Sequence, residues 1–393
     1  MAIDIYKTKT MLAAVRQMTP VTSFLRDRYF PTGSGDMFPT EEVLVEYKDA
    51  SGNKLAPVVL PRKGSISVER EGYTTSKMVP PLVAPSRPLT IDDLNKKGFG
   101  ENLFSDRTPA ERQADILLQD LQDFDEMHTN REEYIAAKCM FENGYVLRQY
   151  ADKYGEGEYV EYTMKFYSED SNPAVYVPGV KWNESTSDKL ADLHQMIRML
   201  TTVGNNATEV LLGADAAEAL LDDAKIKELL DLNNYRIGQI DPVTLPNGAA
   251  RLGRLNVRGR MIELLTYDGT YVDEEDGKVK PYVPEKQVCV TAPGAGRGLY
   301  GAVSQIEQSD NQWHTYMGRR VPRYWTEKNA RELTVSARPL FIPRTKNPFT
   351  FRNCPGGSNP LLLKLLWSAR GADWNSNFRS ESRGCNNGIR THH

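Results

Sequence analysis

Between Thr108 and Pro173 the only proline is Pro109, and this gap constrains the fold more than any other feature. Thr108-Pro109-Ala110-Glu111 is a capping box with proline at the first helical position, so a helix starts there with its first backbone donors satisfied. Ala114, Leu117, Leu118, Leu121, Phe124, Ile135 and Cys139 continue a helical stripe, and Gly144 is the expected C-terminal stop. Run unbroken to Asn143, such a helix is about 50 Å long at roughly 1.5 Å per residue. A small globular domain seldom needs that length. The expectation is a structural spine.

What precedes the spine is extended and apolar. In MLAAVRQMTPVTSFLRDRYF, Met11, Leu12 and Val15 share a helical face before Pro20 interrupts it. Phe24, Leu25, Tyr29 and Phe30 then crowd together ahead of the loop PTGSGD. Such an arm needs a surface, on its own domain or on a neighbouring subunit. Residues 41–72 read as a long hairpin: Val43, Val45 and Tyr47 alternate with polar residues, DASGN turns, and LAPVVLP and SISVERE return. Pro57 and Pro61 demote the returning run to an edge strand. MVPPLVAPSRPLT follows as a proline-rich strap, expected to be extended with little regular ladder.

After the spine, strand patterns occupy 145–167, and a helix begins near Ser187 with Leu190, Leu193, Ile197 and Leu200 at helical spacing. From 188 to 292, strands alternate with short helices, which describes an α/β module set into the main body. Residues 299–352 return to extended, arginine-rich character. The stretch after Cys354 has no consistent period and reads as a disordered or non-native tail.

Composition excludes several classes. With 393 residues, 40% hydrophobic and 26% charged, the chain can bury a sizeable core. Lys plus Arg is 49 against 52 Asp plus Glu, a net charge of −3, which argues against a dedicated nucleic-acid binder. No stretch reaches the roughly 20 apolar residues of a membrane span, and MAIDIYKTKT has no signal-like apolar core. Cys139, Cys289, Cys354 and Cys385 show no CxxC spacing, so reduced thiols are expected.

Candidate chemistry is sparse. Gly296-Arg297-Gly298-Leu299-Tyr300-Gly301 matches GxGxxG after the strand QVCVT, but no helical stripe follows the glycines as a dinucleotide site requires. A strand-to-strand corner is the expected use. Asp273-Glu274-Glu275-Asp276-Gly277 lacks the ligand alternation of a calcium loop and reads as a solvated hairpin tip. The five histidines form no HExxH, and no GxSxG occurs. No catalytic residue, metal ligand or cofactor site is assigned. Charge, in contrast, is uneven. From Glu101 to Ile135, ten acids face three bases; from Arg319 to Arg352, nine bases face two acids. The two segments are complementary, within one subunit or between subunits.

Ordered along the chain, MLAAVRQ with FLRDRYF, TEEVLV, MVPPLVAP, GVKWNESTSDK around Trp182, YDGTYVDEEDGKVKPYVPEKQVCV, GRGLYGAVSQ and RRVPRYWTEKNARELTVSARPLFIP make a pattern. From about Thr10 to Arg352 the chain resembles the major capsid protein E family of lambda-like tailed phages. Arg320-x-Pro322-x-x-Trp325 and the apolar strand after it are its most specific part.

The resemblance implies an α+β, HK97-like capsid fold. It implies an N-terminal arm at 1–40 and an extended β-hairpin with strap at 41–85. A peripheral domain follows at 86–187 with its spine at about 108–143, then an α/β axial domain at 188–295, a return to the peripheral domain at 296–354 and the tail 355–393. It also implies pentamers and hexamers closing into an icosahedral shell, in the virion after assembly in the host cytoplasm. The implied partners are portal, scaffold, protease, decoration protein and packaged double-stranded DNA bound without sequence specificity. A covalent Lys–Asn cross-link is not expected, although Lys48, Lys54 and Lys63 lie in the hairpin. Subunit-interface candidates are Phe24, Leu25, Tyr29, Phe30, Val58, Val59, Leu60, Arg319, Arg320 and Arg323. The arm and hairpin side chains are expected to pack poorly on their own subunit. The alternatives are an encapsulin-like compartment and a nucleotide-binding enzyme using Gly296–Gly301.

Overall fold

In the computed structural model the spine helix runs Pro109–Phe141. Thr108 Oγ1 accepts from the Glu111 N–H, and Glu111 Oε2 accepts from the Thr108 N–H at 2.9 Å, so the capping box is closed both ways. The buried stripe differs from the expected one. Leu121, Phe124, Ile135 and Cys139 are buried, but Ala114 and Leu118 are exposed, and Gln113, Asp120, His128 and Glu132 occupy the stripe instead. Its last two turns, from Ile135 to Phe141, are buried at nearly every position. Gly144 is not the helix stop. It opens the next strand at φ +140°, and a Cβ there would fall 1.9 Å from the Met164 carbonyl oxygen across the ladder.

The structure describes residues 8–17, 21–47, 74–95, 108–142, 144–150, 158–166, 174–184, 186–234, 245, 248–274, 276–327, 330–345 and 348–353. They belong to one unit, Met1–Asn353. Val58, Val59, Leu60 and the expected tail 355–393 lie outside the described residues.

A six-stranded sheet holds the α/β module. Its order is Ala174–Tyr176, Thr350–Asn353, Gln287–Thr291, Glu209–Leu212, Arg260–Tyr267, Ala249–Val257. The first two strands pair in parallel, as do Glu209–Leu212 and Arg260–Tyr267, and the other pairs are antiparallel. Every residue of Glu209–Leu212 is buried, the mark of a strand covered on both faces. Helix Lys189–Thr202 buries Leu193, Met196, Ile197 and Leu200, and helices Ala214–Leu221 and Ala224–Asn234 follow the central strand. The module is therefore not closed within 188–295. Val288, Cys289 and Val290 are fully buried, and their strand finds its second partner only in Thr350–Asn353.

Two other expectations shift. The hairpin's first strand, Val43–Tyr47, pairs with Thr74–Met78, beyond the expected limit at residue 72. The strap is laddered: Ser86–Leu89 forms the edge of a three-stranded sheet with Val321–Glu327 and Ala330–Ser336, and Val83 bridges Ala337. Pro88 is tolerated because an edge strand can leave one side without donors.

Candidate functional site

The short helix Phe24–Tyr29 carries the arm's aromatic cluster, and the structure seats it on its own chain. Phe24, Leu25, Tyr29 and Phe30 are all at most 2% exposed and share a core with Ile135, Met140, Leu340, Phe341 and Phe349. The Phe30 ring lies 5.7 Å from Phe341, edge-on, and 5.8 Å from Phe349. These four were expected to wait for a neighbouring subunit. Instead they fill an internal space, and Phe30 finds room there because Gly296 lies beneath its ring. Helix Thr8–Gln17 likewise places Met11 against Leu121, Phe124, Leu333 and Val335.

Two adjacent spine carboxylates hold the arm. Ser23 precedes the arm helix but makes no side-chain cap, and Glu133 takes that role from the spine. Its Oε1 accepts from the N–H groups of Phe24 at 3.1 Å and Leu25 at 2.8 Å, and its Oε2 accepts from Arg26 N–H at 2.9 Å. Burial pushes the Glu133 carboxyl up from its ordinary value, against the pull of these amides.

Glu132 gathers guanidinium groups. Arg320 donates to it at 2.5 and 3.2 Å, Arg26 donates at 2.9 Å, and Arg319 approaches to 3.6 Å. Arg320 Nε also donates to Asp125 at 2.8 Å, and Arg26 Nε to Asp27 at 2.8 Å. Three cations thus meet three carboxylates. Burial alone would raise the Glu132 pKa, but Arg320, Arg319 and Arg26 outweigh it and hold the carboxyl well below the usual range. Beside this node His128, 1% exposed, donates from Nε2 to the Val335 carbonyl at 2.9 Å. Desolvation, then the Arg320 charge, lowers its pKa to about 4. An open cavity of about 270 Å³ lies over the node, walled by Leu12, Val15, Val21 and Met317.

The charge split therefore closes inside one chain at Arg319 and Arg320, the within-subunit form of the two expected, with Arg320 buried and the Arg319 side chain still 33% exposed. Asp120 and Asp123 are bound elsewhere, both to Arg87 of the strap, the latter at 2.9 Å. Arg323 is half-buried, its guanidinium 4.6 Å over the Trp325 ring and its Nε without a hydrogen-bond partner. Sequence reading missed Glu132 and Glu133 as single residues. Their signal was two consecutive acids on a spine face otherwise turning apolar.

Gly296–Tyr300 is a strand paired antiparallel with Pro339–Pro343, not the expected corner and not a loop opening a helix. A Cβ on Gly296 would fall 2.2 Å from the Phe30 ring, and one on Gly298 2.6 Å from Thr32 Oγ1. The glycines give the arm room to pass, so the nucleotide-site alternative loses its geometry. The acidic hairpin tip is tied down: Glu274 pairs with Arg131 of the spine, and Asp276 with Lys280 at 3.3 Å.

The model of a family described as phage major capsid protein E matches residues 7–349. No curated protein matches the chain. Among solved structures, a crystal structure assigned to the capsid protein of an E. coli CFT073 prophage superposes with a TM-score of 0.59 at 16% identity, covering 88% of this chain and 98% of that one. A phage-related protein from Bordetella bronchiseptica RB50 gives 0.46 at 10% identity, covering 89% and 97%. The encapsulin of a Synechococcus elongatus holo-complex gives 0.39 at 11% identity, covering 87% and 94%. The first of these shows the fold, an α+β capsid fold of the HK97-like kind.

Proposed function

The chain belongs to the phage major capsid protein E family, and from that premise we propose that it assembles through pentamers and hexamers into an icosahedral shell around packaged double-stranded DNA. It is a major capsid protein of a phage or prophage, and the family is one of self-assembling virion components. Portal, scaffold, protease and decoration protein are the partners this reading assigns, and the host cytoplasm is its place of assembly. Its work is association rather than catalysis. The match over residues 7–349 carries the reading, and it favours a phage head over an encapsulin-like compartment.

The fold supports it physically. Heterologous contacts repeated around an axis close into rings, and a standard interface buries only about 800 Å² per partner. Such tiling needs a subunit whose parts hold still. The spine joins the arm through Glu132 and Glu133, the strap through Asp120 and the acidic hairpin through Arg131. Apolar side chains that the subunit leaves exposed, Val160, Val177 and Trp313 among them, are surface that neighbours can cover. In this reading 1–40 is the arm, 41–85 the hairpin and strap, 86–187 with 296–354 the peripheral domain and 188–295 the axial domain. Strands Ala174–Tyr176 and Thr350–Asn353 complete the axial sheet. Negative-stain microscopy of the purified full chain tests the proposal: rings or closed shells are expected, and monomers at every concentration tried would overturn it.

A further inference from the structure

The α/β module carries a group of cations that nothing among the described residues answers. His194 and Arg198 stand one turn apart on helix Lys189–Thr202, which packs against strand Ala249–Val257. That strand turns at Arg258-Gly259 into Arg260–Tyr267, with Val257 paired to Arg260. Arg198, Arg258 and Arg260 are exposed, and none of them makes an ion pair with another described residue. The packing of that helix on that strand brings Arg198 to the side of the module where the hairpin turns. Desolvation, then the charges of Arg258, Arg198 and Arg260, holds the His194 imidazole below its ordinary pKa, leaving it the neutral member of the group.

Arg258 is an unusual choice for its position. It has φ +49° and Gly259 φ +90°, a two-residue turn in which Asn or Gly is the unstrained first residue. Asn256 Oδ1 accepts the Gly259 N–H at 2.8 Å and closes the turn without help from the Arg258 side chain. An exposed arginine gains the fold nothing here. What the position supplies is a positive charge at a hairpin tip.

The same module presents the opposite charge elsewhere. Helix Ala214–Leu221 buries Ala216, Ala217 and Leu220 and exposes Asp215 and Glu218, with Asp222 following on the exposed side. Asp222 has only the exposed Lys227, at 3.5 Å. In a chain that self-associates, any face left unanswered in one copy is available to another. We propose that Arg198, Arg258 and Arg260, grouped around His194, form a cationic face that takes the acidic face Asp215, Glu218 and Asp222 of a second copy of this chain. The contact is heterologous, each copy using both faces once, which is the geometry that closes rings. It rests on the capsid reading only in that copies of the chain meet. Each exposed pair is weak and screened by salt, so the contact depends on several pairs acting together.

A charge swap on the full chain tests this, read by sedimentation velocity and negative stain at low and high salt. Arg258→Glu with Arg260→Glu should weaken association by about tenfold or more at low salt. Asp215→Arg with Glu218→Arg should do the same, and the combined variant should recover most of the loss. Because all four side chains are exposed, melting of the unassembled subunit should be unchanged in the Arg→Glu variant and should fall only slightly in the variants that reverse Asp215, which stands in the first turn of its helix. Variants that associate like the parent overturn the inference, as does a combined variant that recovers nothing. Retention of double-stranded DNA that is lost in the Arg→Glu variant, with association intact, would assign the cations to a phosphate backbone and overturn it too. Sedimentation reads association whether or not shells close. A parent chain without shells therefore counts against the capsid reading alone, and normal shells from the Arg→Glu variant count against this contact alone.

Discussion

Gly296 lies so close under Phe30 that a Cβ on it would fall 2.2 Å from the ring. Gly296→Ala should therefore either displace the arm or shift the strand, at a cost of about 1–3 kcal/mol as in other overpacked cores. Shrinking the ring with Phe30→Leu should recover part of that cost, and a double-mutant cycle by chemical denaturation measures the coupling. Additive effects would show that the two residues do not share the space.

Arg319 and Arg320 are neighbours in sequence with opposite expected behaviour. Arg320 is buried between Glu132 and Asp125, whereas the Arg319 side chain is 33% exposed. Arg320→Met leaves Glu132 with less compensation and should destabilise the unassembled subunit by about 3–5 kcal/mol. Arg319→Ala should cost about 1 kcal/mol or less. Thermal melts of the two variants check the contrast. Equal shifts would mean that the node does not discriminate between them.

The physical reason for that contrast also marks what the sequence could and could not disclose. The spine was legible because its start is a local matter: Thr108, Pro109 and Glu111 act within one turn. The complementary charge of 101–135 and 319–352 was legible as a sum. Which carboxylate meets which guanidinium was not, because Glu132 finds Arg26 and Arg320 across separations of 106 and 188 residues. The arm's aromatic cluster was recognisable, but its host surface was not. Burial of Phe30 depends on Gly296, and a glycine reads equally well as a turn, a phosphate loop or a close approach. The strand Thr350–Asn353 was assigned to a return segment because pairing with Gln287–Thr291 leaves no trace in either stretch alone.

His128 makes stability depend on mildly acidic pH. Its folded pKa of about 4 lies below the 6.5 of an unperturbed imidazole, so the unfolded chain takes up a proton first as pH falls. Its contribution is fully present above pH 6.5 and is lost progressively toward pH 4. At pH 5 that is about 2 kcal/mol relative to pH 7. The groups facing it are Arg320, Glu132 and Asp125, and the Arg320 charge opposes protonation. His128→Gln keeps a donor for the Val335 carbonyl and should flatten the stability profile between pH 5 and 7. Denaturant titrations of both proteins across that range check it, and parallel profiles would place the pH dependence elsewhere.

Glu133 gives the sharpest separation of arm from spine. It receives three backbone N–H groups of the arm helix, and those amides have no other cap because Ser23 makes none. Each buried donor left unsatisfied costs about 1–3 kcal/mol, so Glu133→Ala should destabilise the arm by several kcal/mol in addition to leaving a small void. Glu133→Gln keeps one acceptor oxygen and turns an amide NH₂ toward the remaining donor, so it should fall between the parent and the alanine variant. The spine's own cap at Thr108 and Glu111 is independent of this contact, so the loss should be local. Hydrogen exchange on the unassembled subunit reads the difference: the amides of Phe24, Leu25 and Arg26 should lose protection by an order of magnitude or more, while the amides of the spine interior stay protected. If spine and arm amides lose protection together, the two unfold as one unit and Glu133 is part of the global core. If neither changes, the arm is held by its aromatic side chains and the carboxylate cap is dispensable.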